Sequence, residues 1–278
     1  MNSGFVWLAS YPKSGNTWLR LFLECVLNGG AEIDINRPAG RSPIAASRQM
    51  FDTLLDVDSS DLMISEIERA RPSLYRAWAA ELDRPQAIKV HDAWSMTDQS
   101  EPLFPPEVTV ASFYIVRDPR DVAVSLVHHF GRSLDEVIEI MAKTDARSGQ
   151  INDLTFERQL SQRLKTWSQH VSSWIDQQGV ELLRYEDMIS DPAGNLGRAA
   201  RMLQPSISEK VILRAVEATD FGRLQAQEQR NGFVERVPGQ ASFFRSGRSG
   251  GWREVFSAAQ ANRLENDHRS IMECLGYL

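Results

Sequence analysis

Cysteine is scarce in this sequence, with Cys25 and Cys274 as the only two among 278 residues. They form no CxxC pair, and no Cys/His spacing typical of zinc accompanies them, so the sequence predicts neither a metal site nor a disulfide framework. An apolar run of about 18 residues, the length that spans a membrane, is also missing. The first apolar segment begins within a few residues of Met1, so we expect no signal peptide, no membrane partner and a cytoplasmic protein.

An excess of basic residues is missing too. The chain carries 31 Lys and Arg against 37 Asp and Glu, a formal net charge of −6. Nucleic-acid-binding proteins present a strongly basic face, so we expect no nucleic-acid partner, and any anion site must be local. The length fits one large α/β domain or two smaller ones, and 42% hydrophobic residues suffice for a sizeable core.

Residues 5–27 combine three predicted elements. Phe5–Ala9 is an apolar run typical of a buried strand, residues 10–15 have turn composition, and Asn16–Leu27 has apolar residues at helical spacing. This order directs free backbone N–H groups and the positive end of the helix dipole at one point, which predicts a phosphate site. An ordinary strand–helix turn remains the alternative. Side-chain donors are added by Lys13, Ser14 and Thr17.

The loop differs from the usual nucleotide-triphosphate loop, in which the lysine follows the last glycine. Here Lys13 precedes Gly15, and Ser10 stands where that motif has its first glycine. Residues 11–18 read Tyr-Pro-Lys-Ser-Gly-Asn-Thr-Trp, and they closely resemble the 5′-phosphosulfate loop of sulfotransferases that use 3′-phosphoadenosine 5′-phosphosulfate (PAPS). The resemblance implies that the co-substrate PAPS, or its product PAP, contacts Lys13, Ser14, Gly15, Asn16, Thr17 and Trp18.

Residues 85–92 form a short predicted strand that ends in charged and titratable side chains. Ligands of open parallel sheets bind beyond the carboxyl ends of the strands, where Lys89 and His91 would lie. Lys89-Val90-His91 resembles the Lys-Thr-His of cytosolic sulfotransferases, in which the histidine is the general base for the acceptor. The resemblance therefore implies that Lys13, Lys89 and His91 are the catalytic residues, although a lone histidine is more often structural.

Four further segments resemble nucleotide-binding motifs of this family. Residues 114–125 resemble its 3′-phosphate segment, and residues 243–253 resemble the glycine-rich loop that closes over the same phosphate. Residues 185–188 match its Tyr-Glu-Asp-Met, and residues 219–221 resemble the Thr/Ser-x-Phe beside adenine, where Phe221 and Trp18 would offer stacking faces. The positions implied to bind the nucleotide are Arg117, Ser125, Tyr185, Thr219, Phe221, Arg245, Ser246 and Gly247.

The chain departs from the family pattern at a few positions. Ser246 replaces a lysine and Gly251 replaces an aspartate, so Arg248 is a candidate replacement cation for the 3′-phosphate. The short C-terminal motif through which cytosolic members dimerise is not matched either. We therefore expect any homodimer to use another surface than the corresponding positions, which are Arg253, Ser257, Ala258 and Asn262.

The sequence as a whole predicts an α/β fold, a single domain over residues 1–278 with a central parallel sheet flanked by helices and a P-loop-like strand–loop–helix. The predicted enzyme transfers a sulfuryl group from PAPS, without a metal, to a hydroxyl or amine of a small-molecule or natural-product acceptor and releases PAP. The alternatives are an ATP-dependent small-molecule kinase of similar architecture and a catalytically silent PAP-binding protein. The sequence does not identify the acceptor, whose pocket we expect to be shaped by residues 28–60, 92–105, 131–153 and 225–243.

Overall fold

The computed structural model describes residues 3–37, 44–148, 159–236 and 241–278. The strands in these ranges are β1 (Phe5–Ala9), β2 (Gln86–Val90), β3 (Thr109–Val116), β4 (Arg147–Ser148), β5 (Gln162–Arg163) and β6 (Val180–Arg184). The α-helices are α1 (Asn16–Leu27), α2 (Arg48–Leu55), α3 (Ile64–Ala80), α4 (Pro119–Phe130), α5 (Leu134–Met141), α6 (Trp167–Ile175), α7 (Tyr185–Ser190), α8 (Pro192–Leu203), α9 (Glu209–Ala218), α10 (Phe221–Asn231) and α11 (Ala258–Cys274).

The main sheet has the strand order β2-β1-β3-β6, and β4 pairs with β5 in a small antiparallel ladder. β1 pairs in parallel with both β2 and β3, with Ala9 opposite Val90 and Tyr114. All five residues of β1 and of β2 are buried, as expected for parallel strands covered on both faces. The predicted α/β class, with a central parallel sheet flanked by helices, is confirmed.

The chain divides into two compact units. Unit 1 comprises Met1–Tyr11, Ala39–Tyr114 and Lys143–Glu181, and unit 2 comprises Pro12–Pro38, Ile115–Ala142 and Leu182–Leu278. The division passes through β3 and β6. The prediction of a single domain over residues 1–278 stays a prediction.

Unit 1 has an aromatic core on β1. The ring of Trp7 contacts Tyr75 and Phe104, each with ring centroids 5.1 Å apart, and Phe104 contacts Trp174 of α6 at the same distance. The indole N–H of Trp7 donates to the Thr109 hydroxyl at 2.8 Å, so this buried donor is satisfied. Edge-to-face and tilted pairs of this kind stabilise by more than their buried area alone. Phe104, which lies within residues 92–105 that we expect to shape the acceptor pocket, is thus part of the core.

Unit 2 has a separate apolar cluster around α1. Leu21 and Ile35 pack with Leu224 of α10 and with Phe233 and Phe244, which follow that helix. Their burial explains why α10 forms in a stretch that is polar by composition: Asp220 caps its first turn, and Leu224 anchors it in the cluster. The few apolar anchors of residues 224–242 predict a mobile segment, which stays a prediction, and residues 224–231 belong to α10. Residues 237–240 lie outside the described residues.

Two further helix predictions are corrected. The apolar spacing over residues 156–175 predicts one long helix, but α6 begins only at Trp167, where Thr166 and Gln169 form a capping box. Residues 151–158 lie outside the described residues. Just before α6, the N–H groups of Leu160 and Leu164 donate to Ala46 and Ala146 instead of to a helical partner, and these residues fill the core from an irregular segment.

The second concerns Pro72, which predicts a break or a kink in a helix over residues 62–82, and the break is not found. α3 runs without a break from Ile64 to Ala80. A proline inside a helix costs about 3 kcal/mol or more, and buried neighbours offset that cost here. Leu74, Tyr75 and Trp78 are at most 1% exposed.

Candidate active site

The loop between β1 and α1 has the geometry of an anion-binding turn. Lys13 has a φ of 71° and Gly15 a φ of 103°, both in the left-handed region. Alternation of this kind makes successive N–H groups converge. Gly15 precedes α1 without a side-chain cap, and a Cβ at this position would lie 2.6 Å from the Tyr185 ring. The loop therefore requires glycine both for its backbone conformation and for the close approach of Tyr185.

Arg117, at the end of β3, links the predicted nucleotide motifs of unit 2. Its Nη1 donates to the carbonyl of Lys13 at 3.2 Å, and its Nη2 donates to the carbonyl of Arg248 at 3.0 Å. Its guanidinium also lies over the ring of Tyr185, 4.4 Å from the centroid. One side chain thus contacts the phosphosulfate-like loop, the glycine-rich loop and the Tyr-Glu-Asp-Met segment.

Several buried donors of unit 2 have no hydrogen-bond partner among the described residues. Three of them belong to residues predicted to bind the nucleotide, namely Ser14 Oγ, Trp18 Nε1 and Arg117 Nε, whereas Arg20 Nε, Arg184 Nε and Trp252 Nε1 belong to other residues. Buried polar groups in folded proteins are usually paired, so unpaired donors at a loop of this geometry fit a polar ligand. An anionic nucleotide is a suitable acceptor for the first three.

Asp121 on α4 holds the glycine-rich loop of unit 2 through two backbone hydrogen bonds. Its carboxylate accepts from the N–H of Gly250 at 2.6 Å and from that of Trp252 at 3.0 Å. Gly247 has a φ of 59°, and a Cβ there would lie 2.4 Å from the ring of Phe221. The loop therefore lies directly against the residue predicted to stack on adenine.

Positive charge is concentrated at the same loop. The pKa of Arg245 is lowered by partial burial and by the neighbouring guanidiniums of Arg117 and Arg248. Repulsion of this kind is relieved when an anion binds. Arg248 also forms an ion pair with Glu254 on the surface, at 2.6 Å, so its guanidinium interacts with a carboxylate as well as with the neighbouring arginines.

The other predicted nucleotide residues of unit 2 are placed as follows. Phe221 begins α10 and contacts Phe244 edge-on, and the Trp18 ring contacts that of Tyr185, with centroids 6.1 Å apart. The buried Thr219 hydroxyl donates to the carbonyl of Ala215, within its own helix end. The remaining predicted residues are Asn16 and Thr17, both buried in the first turn of α1, Ser125, partly buried on α4, and Ser246, partly buried in the glycine-rich loop.

In unit 1, His91 follows β2 and has a defined tautomer. Its Nδ1 lies 3.0 Å from the carbonyl oxygen of Ser10, which can only accept, so Nδ1 carries the proton and Nε2 is left as the acceptor. Burial, followed by the positive charge of Lys89, lowers the pKa of His91 to about 3. The ring is therefore neutral near pH 7, which is the state that a base needs.

His170 on α6 supports the same segment of unit 1. Its Nε2 donates to the carbonyl of His91 at 3.1 Å, and its Nδ1 accepts from the hydroxyl of Tyr114 at 2.8 Å. Burial lowers the pKa of His170 to about 4, which keeps this ring neutral as well. His170 is fully buried and serves packing and hydrogen bonding.

A family model described as "Sulfotransferase domain" matches residues 4–276. The chain belongs to the sulfotransferase family. Sulfotransferase 1B1 of Canis lupus familiaris is 24% identical over 279 residues, which cover 95% of this chain and 82% of that protein. Sulfotransferase 1A1 of Rattus norvegicus is 25% identical over 276 residues, covering 95% and 83% respectively.

Solved structures show the same fold. Retinol dehydratase in complex with androsterone and inactive cofactor PAP has a TM-score of 0.64 at 21% identity, covering 96% of this chain and 80% of that one. Mouse sulfotransferase SULT7A1 complexed with PAP has a TM-score of 0.64 at 19% identity, covering 97% and 84%. Membership confirms the predictions of the family, of a sulfotransferase enzyme and of PAPS as its sulfuryl donor.

Sequence reasoning missed one group of residues around the nucleotide loop of this sulfotransferase. Arg20 is fully buried on α1 and pairs with Glu24 at 2.5 Å and with Glu235 at 2.7 Å. Glu235 also accepts from the hydroxyl of Thr17 at 3.3 Å, so it contacts a predicted phosphate ligand. The sequence does hold a signal that could have revealed this group: Arg20 stands among the apolar residues of α1, with Glu24 one turn later.

The part of the chain that the structure describes contains neither a cluster of metal-ligand side chains nor a helix that could span a membrane. Within residues 3–37, 44–148, 159–236 and 241–278, no group of three or more His, Cys, Asp or Glu side chains could hold a metal ion. No helix within these ranges is long and apolar enough to cross a bilayer.

Proposed function

We propose that this sulfotransferase holds PAPS through the motifs gathered around Arg117 and uses His91 as the general base toward a hydroxyl acceptor. The observation that supports it most is the set of contacts from Arg117 to Lys13, Arg248 and Tyr185. Side chains and loops far apart in sequence meet there at one cation, next to buried donors suited to phosphate.

The phosphosulfate end of PAPS belongs, in this proposal, at the loop between β1 and α1. PAPS supplies a sulfuryl group on a phosphate oxygen, and that phosphate gains negative charge as the S–O bond breaks. Lys13, the loop N–H groups and the hydroxyls of Ser14 and Thr17 would stabilise that charge. Fixed donors and cations at the site of developing charge are usually the largest contribution to catalysis of this kind.

The 3′-phosphate of PAPS binds, in this proposal, at the arginines near the glycine-rich loop. Arg117 and Arg245 would bind it, with Ser125, Ser246 and the backbone of Gly247 as further donors. The lowered pKa of Arg245 supports this assignment, because a doubly charged anion would relieve the repulsion among the guanidiniums. Arg248 would supply the cation that Ser246 lacks. Each charge-assisted hydrogen bond there would contribute about 1.5–3 kcal/mol.

Adenine binds between aromatic faces in this proposal. Trp18 and Phe221 provide the rings, and Thr219 and Tyr185 border them. The described contacts support this arrangement, because Phe221 lies against Gly247 and Trp18 lies against Tyr185. Base-on-aromatic stacking is worth about 1–3 kcal/mol per base in other proteins.

His91 would take the proton of the acceptor at Nε2. The Nδ1 hydrogen bond to Ser10 supports this role because it fixes the tautomer that leaves Nε2 free of a proton. Lys89 is buried and close enough to His91 to lower its pKa, so it would add positive charge beside the reacting group. Asp92 is an unsuitable substitute base, since both of its carboxylate oxygens already accept from Arg71.

The acceptor is proposed to be a small molecule or natural product with a hydroxyl group. The related proteins named above include one whose structure holds androsterone, a small alcohol. We also propose that the enzyme acts in the cytoplasm, because its motifs resemble those of cytosolic members. Any homodimer would use a surface other than the positions Arg253, Ser257, Ala258 and Asn262.

Thermal unfolding with nucleotides tests the proposal. PAP in EDTA should stabilise the protein by about 2.7 kcal/mol when its concentration is about 100 times its Kd, because it binds only the folded state. ATP with Mg²⁺ should stabilise it far less, since ATP has no 3′-phosphate. A shift with ATP–Mg²⁺ and none with PAP would refute the proposed site.

A turnover assay distinguishes an active sulfotransferase from a catalytically silent PAP-binding protein. A panel of phenols, steroids, other alcohols and amines would be incubated with PAPS, and PAP release would be measured. We expect release with at least one class of hydroxyl compound. Stabilisation by PAP without release on any acceptor would support the silent alternative.

A further inference from the structure

We propose that the buried ion pair of Arg71 and Asp92 is a positioning unit, which holds the backbone around His91 in the geometry that the base requires. The inference rests on the proposed role of His91. Neither residue belongs to the motifs that carry the family resemblance, and neither would touch PAPS or the acceptor.

The ion pair is both buried and tightly oriented. Arg71 on α3 is 0% exposed and Asp92 is 2% exposed. Nη1 of Arg71 donates to Oδ1 at 2.9 Å, and Nη2 donates to Oδ2 at 2.6 Å. The hydroxyl of Tyr75 accepts from Nε and Nη2 of the same arginine at 3.1 and 2.7 Å. A two-point contact of this type fixes the angle as well as the distance between the groups.

The backbone next to this pair is held at successive peptide groups. The carbonyl of His91 accepts from His170, and the carbonyl of Asp92 accepts from the indole N–H of Trp174 at 2.9 Å. Ala93 donates to the carbonyl of Arg163 at 2.7 Å, and the N–H of Arg163 donates back to Oδ1 of Asp92 at 3.0 Å. The Asp92 carboxylate therefore connects α3 to β5 at the residue that follows the proposed base.

The energetics of buried charges favour a role in orientation. Replacing a buried ion pair with apolar side chains of similar volume is often neutral or stabilising in other proteins, because desolvation offsets the attraction. Stability alone therefore does not account for a charged pair here. Its distinctive contribution is orientation. The pair fixes Asp92 and, through the peptide group that joins the two residues, the preceding His91, so that Nδ1 of His91 meets the Ser10 carbonyl.

The test compares the double variant Arg71→Met/Asp92→Leu with His91→Asn and with the control Arg69→Met. Arg69 lies on α3 like Arg71 but pairs with Asp98 on the surface, and none of the described contacts connects it to residues 91–93 or to Arg163. Each variant would be assayed with PAPS on a series of alcohols and phenols of increasing acidity. PAP affinity and melting temperature would be measured alongside.

We expect the double variant to keep PAP affinity and the KM for PAPS, and to lose about 10- to 100-fold in kcat on a weakly acidic alcohol, because a misplaced base slows only the proton transfer. The loss should shrink as the acceptor becomes acidic enough to ionise unaided. Arg69→Met should behave like the unmodified protein throughout. If the double variant does not fold, Asp92→Asn carries the same test, since it removes the charge but keeps the shape, and the same selective loss, at smaller magnitude, is expected.

The outcomes are distinguishable. If His91→Asn loses activity selectively on weakly acidic acceptors while the pair variants lose none, or lose equally on all acceptors, the positioning inference is wrong and the proposed function stands. If His91→Asn shows no selective loss, the proposed base is wrong, and the positioning inference fails with it.

Discussion

The region around His91 and the loop around Gly15 differ in how far folding alone satisfies their polar groups. His91, His170 and Asp92 all have hydrogen-bond partners within unit 1. In unit 2, Ser14 Oγ and Trp18 Nε1 are buried without a partner among the described residues. In the first region these three side chains are held by the fold itself, whereas the second has unpaired donors that an anionic ligand can accept from.

The two regions also treat charge in opposite ways. In unit 1, burial lowers the pKa of both His91 and His170, so these rings are neutral near pH 7. In unit 2, burial and the neighbouring guanidiniums of Arg117 and Arg248 lower the pKa of Arg245. A neutral base and a concentrated group of cations are the two features that proton abstraction and anion binding require, and the chain builds them from separate sets of residues.

Removing the base should have the largest effect. His91→Asn cannot take up a proton near neutral pH, so turnover on a weakly acidic alcohol should fall by about 10²–10⁴-fold. PAP affinity should stay nearly unchanged, because the nucleotide contacts belong to other residues. Steady-state rates and calorimetric titration check both statements. Near-normal turnover on such an alcohol would show that His91 is not the base.

Removing a cation of unit 2 should have the next largest effect. Arg117→Ala and Arg245→Ala should each weaken PAP binding by about 10- to 100-fold, which corresponds to the loss of about one charge-assisted hydrogen bond. Binding of adenosine 5′-phosphosulfate, which lacks the 3′-phosphate, should weaken much less. Arg223→Ala is the matched control, since Arg223 pairs with Glu217 on the surface. Equal losses for the two ligands in calorimetry would contradict the 3′-phosphate assignment.

Acid should destabilise the fold through the neutral histidines. The folded pKa values of about 3 for His91 and about 4 for His170 lie below the unfolded value of about 6.5. Between these values the unfolded chain binds more protons, so stability is fully present above about pH 6.5 and is lost as the pH falls below it. Each such histidine contributes up to about 1.4 kcal/mol per pH unit in that range.

Urea unfolding at a series of pH values measures this dependence. His170→Gln should be less stable at neutral pH but should lose less stability between pH 6.5 and 4.5 than the unmodified protein. Parallel curves for the two proteins would mean that His170 does not titrate on unfolding in this range.

The smallest effect is expected at the start of α11. The Ser257 hydroxyl accepts from the N–H of Gln260 as an N-cap, so Ser257→Ala should cost about 1 kcal/mol of stability. The oligomeric state should not change, because we expect any dimer to use another surface. Light scattering on the alanine variants at Arg253, Ser257 and Asn262 checks this. Conversion of a dimer to a monomer would contradict the expectation.

Local patterns could be predicted from the sequence, and long-range pairs could not. β1, the loop and α1 follow from turn residues and apolar spacing within residues 5–27, and their bounds match the structure. The start of α6 was missed because Leu160 and Leu164 satisfy their backbone through Ala46 and Ala146, which spacing cannot reveal.

The same limit applies to the candidate site. Motif resemblance identified Arg117, Tyr185 and the glycine-rich loop, and the structure brings these together. Arg20 pairs with Glu24 one turn later, but its other partner, Glu235, and the partner of Arg71, Asp92, lie 215 and 21 residues away in sequence. Such charges cannot be paired by inspection of one chain, because tertiary packing alone decides which carboxylate each guanidinium meets.

The contacts of Arg117 have a consequence for redesign. Arg117 donates to main-chain carbonyls at Lys13 and Arg248 and not to their side chains. The side chain at position 248 can therefore be replaced without removing the hydrogen bond from Arg117 to the backbone of the loop. A library of variants at positions 246 and 248 would vary the charge that faces the nucleotide while the backbone of the glycine-rich loop stays the same. These two positions are therefore a natural starting point for evolving a preference for other donor nucleotides.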